Sequence, residues 1–290
     1  GTDYLRRVLS SLRRELLELG CDIRFGCRLT GLALAENRVR ALDTEGPEGP
    51  CRLTADHVVL ALGNSARDTF QMLRAAGVPL EPKALAVGVR IEHRQADIDL
   101  AQYRALAGHP RLPAASYKLS CHLESGRGVF SFCVCPGGEV VAAASEAGRA
   151  VTNGMSLYAR DKVNCNGGLL VSVTPEDFPG EGPLAGIAFQ RALEERAYAA
   201  GGGGFIAPAQ RVEDFLLRRP SAGPGRVTPT YRPGVRWCDL WQVLPEFVCQ
   251  SLAQALPILD RKVRGYGDPD AVLTAVESRS SCPLRILRDG

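Results

Sequence analysis

The sequence predicts an α/β protein in which the first and last segments share one domain and a longer α+β segment is inserted between them. Three observations carry that reading. Apolar residues recur at helical spacing from Leu5 to Leu19 and lead into short strand-like runs. The run DHVVLALG, residues 56–63, is continuously apolar after its first two residues and ends in glycine, the pattern of a strand buried on both faces of a parallel sheet. Strand texture changes near Lys83, and strand character of the buried kind returns only at Ala271. The expected division is therefore 1–83, 84–269 and 270–290.

Taken in order, Thr2 or Asp3 caps a helix that carries Leu5, Val8, Leu9, Leu12, Leu16 and Leu19 on its apolar side and stops at Gly20. Residues 21–29 read as a strand with Ile23 and Phe25 on one face, and 29–46 as a hairpin turning at Glu36-Asn37. The 56–63 strand is followed by a helix over 64–77, with Asn64 or Ser65 as its cap. Beyond Lys83, residues 84–93 and 117–123 are strand-like. Residues 131–144 read as a hairpin, because Pro136-Gly137 fits the central positions of a type II turn. Alternation in its first arm sets Phe130, Phe132 and Val134 on one face and Ser131, Cys133 and Cys135 on the other.

That alternation bears on the two thiols. On a regular strand, residues two apart have Cα atoms roughly 6.6 Å apart and parallel side chains, near the limit for a disulfide. Cys133 and Cys135 are therefore expected to stay unbridged, with Cys133 buried and Cys135, beside the turn, exposed and reactive. Further on, residues 183–204 form a helix that frays into glycines, 218–234 is linker-like, Asp239-x-x-Gln242 is a capping box and Pro245 opens a helix burying Phe247, Val248, Leu252 and Leu256. Residues 271–287 close the chain as a strand.

Composition excludes several classes. The 290 residues carry a net charge of only +3, and their basic residues form isolated pairs such as Arg13-Arg14 rather than a dense stripe, so nucleic acid is not expected as a partner. No run of some 18 apolar residues exists to cross a membrane. Ten cysteines are scattered without C-x2-C spacing and the four histidines show no ligand spacing, which argues against a zinc site and for free thiols in a reducing, cytoplasmic compartment.

The order helix, strand, meander and apolar strand ending in Ala-Leu-Gly resembles the way a glutathione-reductase-type flavoprotein completes its FAD/NAD(P)-binding domain. The stretches SFCVCPGGEVVAAASEAGRAVTNGMS, PLAGIAFQRALEERAY, LPILDRKVRGY and AVESRSSCPLRI together resemble the uncharacterised FAD-dependent dehydrogenase-like flavoproteins, across nearly the whole chain. The run NCNGGLLV, residues 164–171, departs from the Asn/Ala/Ser-rich pattern of that family. The resemblance implies FAD as cofactor, a partial glutathione-reductase-type FAD domain (1–83 and 270–290), an inserted α+β substrate domain, an unidentified small-molecule substrate, and NAD(P)H or another electron donor. Neither the G-x-G-x-x-G turn that seats the FAD pyrophosphate nor the glycine-rich segment around the isoalloxazine is found in the chain. It is therefore expected to be a fragment that holds flavin weakly by itself. By resemblance, Arg28, Leu29, Ala61, Leu62, Gly63, Asn64, Ser65 and Arg67 fall on cofactor-contacting turns, and Cys135, Glu277 and Arg279 lie near the flavin. A cofactor-free binding or scaffold protein that keeps the fold is the alternative.

Overall fold

The computed structural model describes residues 1–36 and 38–288. In chain order the elements are α1 (Thr2–Glu18), β1 (Arg28–Ala35), β2 (Arg38–Gly46), β3 (Gly49–Thr54), α2 (Arg67–Ala75), β4 (Leu80–Pro82), β5 (Leu85–Arg94), α3 (Gln95–Tyr103), β6 (Ser120–His122) and β7 (Gly128–Ala142). They continue as β8 (Thr152–Met155), β9 (Asn164–Val173), α4 (Ala185–Gly201), β10 (Ala207–Arg211), α5 (Val212–Leu216), β11 (Val235–Trp237), α6 (Glu246–Lys262), β12 (Val272–Glu277) and β13 (Leu284–Ile286). The result is a mixed α/β chain with a core made mainly of sheet.

Two compact units emerge. The larger holds residues 1–6, 85–174 and 189–280, and the smaller holds 7–84, 175–188 and 281–290. In the larger unit eight strands form one sheet in the order β11-β10-β12-β5-β9-β7-β6, with β8 paired to β7. Every pairing is antiparallel except β10 with β11. Val87, Val89 and Ile91 of β5 alternate on one face and are fully buried. Helix α6 packs against β5, β7 and β9 through the side that carries Val248, Leu252, Leu256 and Leu259, all fully buried. Its start at Pro245 follows from a fixed φ and a missing N–H at a position where no helical hydrogen bond is made.

In the smaller unit β1, β2 and β3 form an antiparallel meander, and β4 pairs with β13 as a ribbon. Phe70 and Leu73 of α2 build its core with Ile187 and Leu284. Helix α1 has the expected periodicity, yet none of its residues is buried; Leu9 is 56% exposed.

Several expectations change. Residues 56–63 are not a strand, and Val59 is 89% exposed. A strand requires a hydrogen-bonded neighbour, and no described strand pairs with this run. Residues 21–24 are irregular, because Gly26, at φ +66°, turns the chain before β1 begins. The 29–46 hairpin forms as β1 and β2; of its turn, Asn37 lies outside the described residues. Helix α2 begins after Ala66, which takes the N-cap position in place of Asn64 or Ser65 and gives no side-chain cap.

The Pro136-Gly137 segment is no hairpin. β7 runs straight through it as a 15-residue strand, with register shifts between Phe132 and Cys135 and between Cys135 and Gly138. The long partner β9 pairs along β7 out to Gly138, and the extra residues are taken up as bulges. The closing segment also divides differently. β12 pairs with β5 and β10 inside the large sheet, and only residues 281–290 join residues 7–84. Hydrogen bonding places it there: both edges of β12 are taken by antiparallel neighbours.

Candidate functional site

β5 alternates not only apolar side chains but also Arg90 and Glu92, both without exposed surface. A guanidinium placed mid-sheet must find partners for its donors. Arg90 Nη1 donates to Glu277 at 3.0 Å (Oε2) and 3.4 Å (Oε1), at the end of β12. Its Nη2 donates to the Cys133 carbonyl oxygen at 3.0 Å and to Asn166 Oδ1 on β9, and lies 3.9 Å from Cys135 Sγ. Four strands thus meet at one cation.

Register explains the room for it. Gly168 stands opposite Arg90 on β9, and a Cβ there would come within 2.7 Å of Glu277 Oε2. At Gly154 on β8 a Cβ would overlap both Arg90 Nη2 and Asn166 Oδ1. The glycines of the unusual 164–171 run are therefore what a crowded polar centre demands at Gly168. Arg90 Nε and Asn166 Nδ2 are buried with no hydrogen-bond partner, so the cluster retains unused donors.

The charges are tuned by burial. Loss of water pushes the Glu277 carboxyl up to about 7, against the pull of Arg90 and with a further push from Cys133. Burial works against the Arg90 charge, but Glu277, Cys135 and Tyr117 outweigh it and hold the guanidinium firmly charged. The two tendencies conflict over whether the pair is ionic at neutrality. The carboxyl is the member that yields, because a guanidinium does not deprotonate in the accessible range.

Two turns of the bulge set the thiols. Cys133, at φ +43°, is exposed; Cys135 is buried. This reverses the expected order, since the register shift breaks the alternation that would have put both on one face. The Cys135 thiol donates to the Cys133 carbonyl at 3.4 Å. The neighbouring Cys135 thiol, with help from Arg90 against partial burial, holds the Cys133 pKa down to about 6, while the same neighbour and burial push Cys135 up. Both are free thiols.

Of the expected site residues, Cys135 and Glu277 are brought together through Arg90. Arg279 is not in that cluster: it clamps Glu194 at 2.9 and 2.8 Å, and Glu194 also accepts from Ser278. The cofactor candidates all lie in the smaller unit. Arg28 pairs with Glu45 at 2.9 Å and lies 3.6 Å from Asp68, and Leu29 is half-buried at the start of β1. Asn64 donates to the Ser281 carbonyl, Ser65 accepts from the Arg67 N–H, and buried Arg67 donates to the Ile187 carbonyl at 3.2 Å. Leu62 packs on the Phe70–Leu73 cluster. Ala61 and Gly63 are exposed, with open space where a Gly63 Cβ would stand and φ at +66°. The fit to a dinucleotide is thus confined to backbone near Gly63, while Arg28 is engaged in exposed ion pairs and Arg67 inside the protein.

Arg90 and Asn166 escaped sequence reasoning. The signal for Arg90 was legible: two charges at period two, Arg90 and Glu92, inside an otherwise apolar strand. Asn166 carried none, and Cys133 stood out beside Cys135 in the sequence but was expected to be buried rather than exposed.

A strand-rich α/β protein with a buried arginine–glutamate centre beside a C-x-C bulge is the class that fold and site define. Residues 84–280 match the family described as FAD-dependent protein, C-terminal domain-like, and the chain belongs to that family. A protein of Clostridium beijerinckii, described as an uncharacterized protein, is 43% identical over 290 residues, which cover 100% of this chain and 54% of that protein. The chain therefore spans about half the length of that relative. Among the described residues no helix is long and apolar enough to cross a membrane.

Proposed function

We propose that the chain is the substrate-side part of an FAD-dependent oxidoreductase acting on a small molecule in the reducing cytoplasm, with NAD(P)H or another donor supplying electrons. The observation that carries this reading is the Arg90–Glu277 centre, which falls inside the span matched by an FAD-dependent family. Bound FAD supplies two-electron transfer, and the protein's part is to position groups and move protons. Glu277 holds a proton near neutrality, Arg90 fixes its geometry, and Asn166 and the Cys133 carbonyl fix Arg90. Glu277 is buried, so it acts as a positioning and proton-holding residue behind the exposed Cys133.

A cofactor-free scaffold is the second reading, favoured by the internal engagement of Arg67. One experiment separates the two. The full-length Clostridium relative is purified, freed of loose flavin on a sizing column and scanned for flavin absorbance. The oxidoreductase reading expects near-stoichiometric FAD that bleaches anaerobically with NADH or NADPH. A colourless relative that also fails to take up added FAD overturns it and leaves the scaffold.

A further inference from the structure

We propose that Cys133 and Cys135 are a thiol–disulfide exchange pair, in which exposed Cys133 attacks a low-molecular-weight disulfide and buried Cys135 resolves the mixed disulfide. This goes beyond the flavin reading and does not depend on it.

Backbone geometry brings the pair together. On a regular strand their side chains would stand parallel and out of comfortable reach. The register shift after Phe132 and the positive φ of Cys133 remove that constraint. The Cys135 thiol then donates to the Cys133 carbonyl oxygen at 3.4 Å, which draws its sulfur back along the chain toward Cys133. Positive φ outside glycine is strained backbone that neighbouring structure must enforce, and the Arg90 hydrogen bond to the Cys133 carbonyl holds this segment.

Access divides the roles. An attacking thiol must meet a soluble disulfide, and Cys133 is the exposed member. A resolving thiol needs only to reach its neighbour, and Cys135 is 6% exposed. Arg90 sits beside both as the nearby cation, its charge partly offset by Glu277; Cys165 and Tyr117 are the other titratable groups that act on Cys135 or Arg90. Cys133 has its pKa near 6, so it is thiolate at neutral pH, whereas Cys135 keeps its proton until it is called upon.

The low-molecular-weight disulfide is itself the two-electron oxidant, so the chemistry balances. The Cys133 thiolate attacks one sulfur of R–S–S–R′, forming Cys133–S–S–R and releasing R′S⁻, which takes the proton lost by Cys135. The Cys135 thiolate then attacks Cys133 Sγ, forming the Cys133–Cys135 bridge and releasing RS⁻. Two protein thiols are oxidised and one disulfide is reduced to two thiols.

The test uses the full 290-residue chain and glutathione disulfide as the probe, followed by acid quench, maleimide labelling and peptide mass mapping. The expected product is one bridge mapped to Cys133–Cys135 and reversed by dithiothreitol. In Cys135→Ser the reaction should stop at a glutathione adduct on Cys133, and in Cys133→Ser no adduct should appear on Cys135. Should a variant misfold, the alkylation pH profile of the wild-type chain serves instead: Cys133 should be half-labelled at about pH 6, against roughly 8.5 for an ordinary free thiol. A stable Cys133 adduct in the wild type, a bridge elsewhere, or a Cys133 profile matching that of an ordinary free thiol would each overturn the proposal. No flavin enters this assay, so its failure leaves the flavin reading standing, and a colourless protein leaves this one standing.

Discussion

Replacing Glu277 by Gln reads the buried centre most directly. The Glu277 carboxyl titrates at about 7 in the folded chain, against 4.5 for an ordinary glutamate. Between those values the folded protein binds the proton that the unfolded chain has lost. The stability this contributes is fully present below about pH 4.5 and is lost as pH rises through about 7. At about 1.4 kcal/mol for each tenfold in the acid constant, the whole effect is about 3 kcal/mol. The Glu277 side chain is only 4% exposed, so solvent screening subtracts little. Glutamine reproduces the neutral form at every pH and removes the dependence. Denaturant unfolding of both proteins should show the stability of E277Q relative to wild type rising by about 2–3 kcal/mol from roughly pH 5 to pH 9. Groups that titrate independently of Glu277 cancel in that difference. A flat difference, or one that falls with pH as an ordinary ion pair with a low carboxylate pKa would give, refutes the argument that burial outweighs Arg90.

Gly154→Ala should destabilise by about 1–3 kcal/mol, because the added methyl overlaps Arg90 Nη2 and Asn166 Oδ1; an unchanged denaturation midpoint contradicts the close packing. Leu73→Ala, in the core of the smaller unit and fully buried, should cost about 2–5 kcal/mol in thermal or chemical unfolding. Asp214 accepts from Arg211, Arg219 and Ser221, which hold its carboxyl below the ordinary aspartate range against the cost of burial. Asp214→Asn should therefore cost about 2 kcal/mol at neutral pH, and the gap to wild type should close as pH falls through the lowered folded pKa. Leu9→Gln and Leu16→Gln on exposed α1 should each stay within about 0.5 kcal/mol of wild type, and a larger loss would mean that this face is covered.

What the sequence could determine was local and periodic. Helix α1, the β1–β2 hairpin and α4 follow from apolar spacing and glycine stops, and α6 from Pro245 and the same spacing, signals that nearest neighbours along the chain decide. Strand texture changes near Lys83 in the sequence, and the first long segment of the smaller unit runs to residue 84. Pairing was not legible. An apolar run such as 56–63 becomes a strand only beside a partner, and Pro136-Gly137 turns a chain only if no long neighbour keeps it extended; β9 does keep it extended. The site belongs to that second kind. Arg90, Asn166, Glu277 and Cys133 come from four strands separated by up to 187 positions, and no periodicity in one segment encodes which strand will lie beside it. Only the closed sheet, whose register seats Gly168 opposite Arg90 and whose bulge turns Cys133 outward and Cys135 inward, decides which of ten free cysteines stand at a cation and which merely pack. The physical reason is that burial and hydrogen bonding between strands are properties of the assembled sheet, and the pKa values of Glu277 and Cys133 exist only once it has formed.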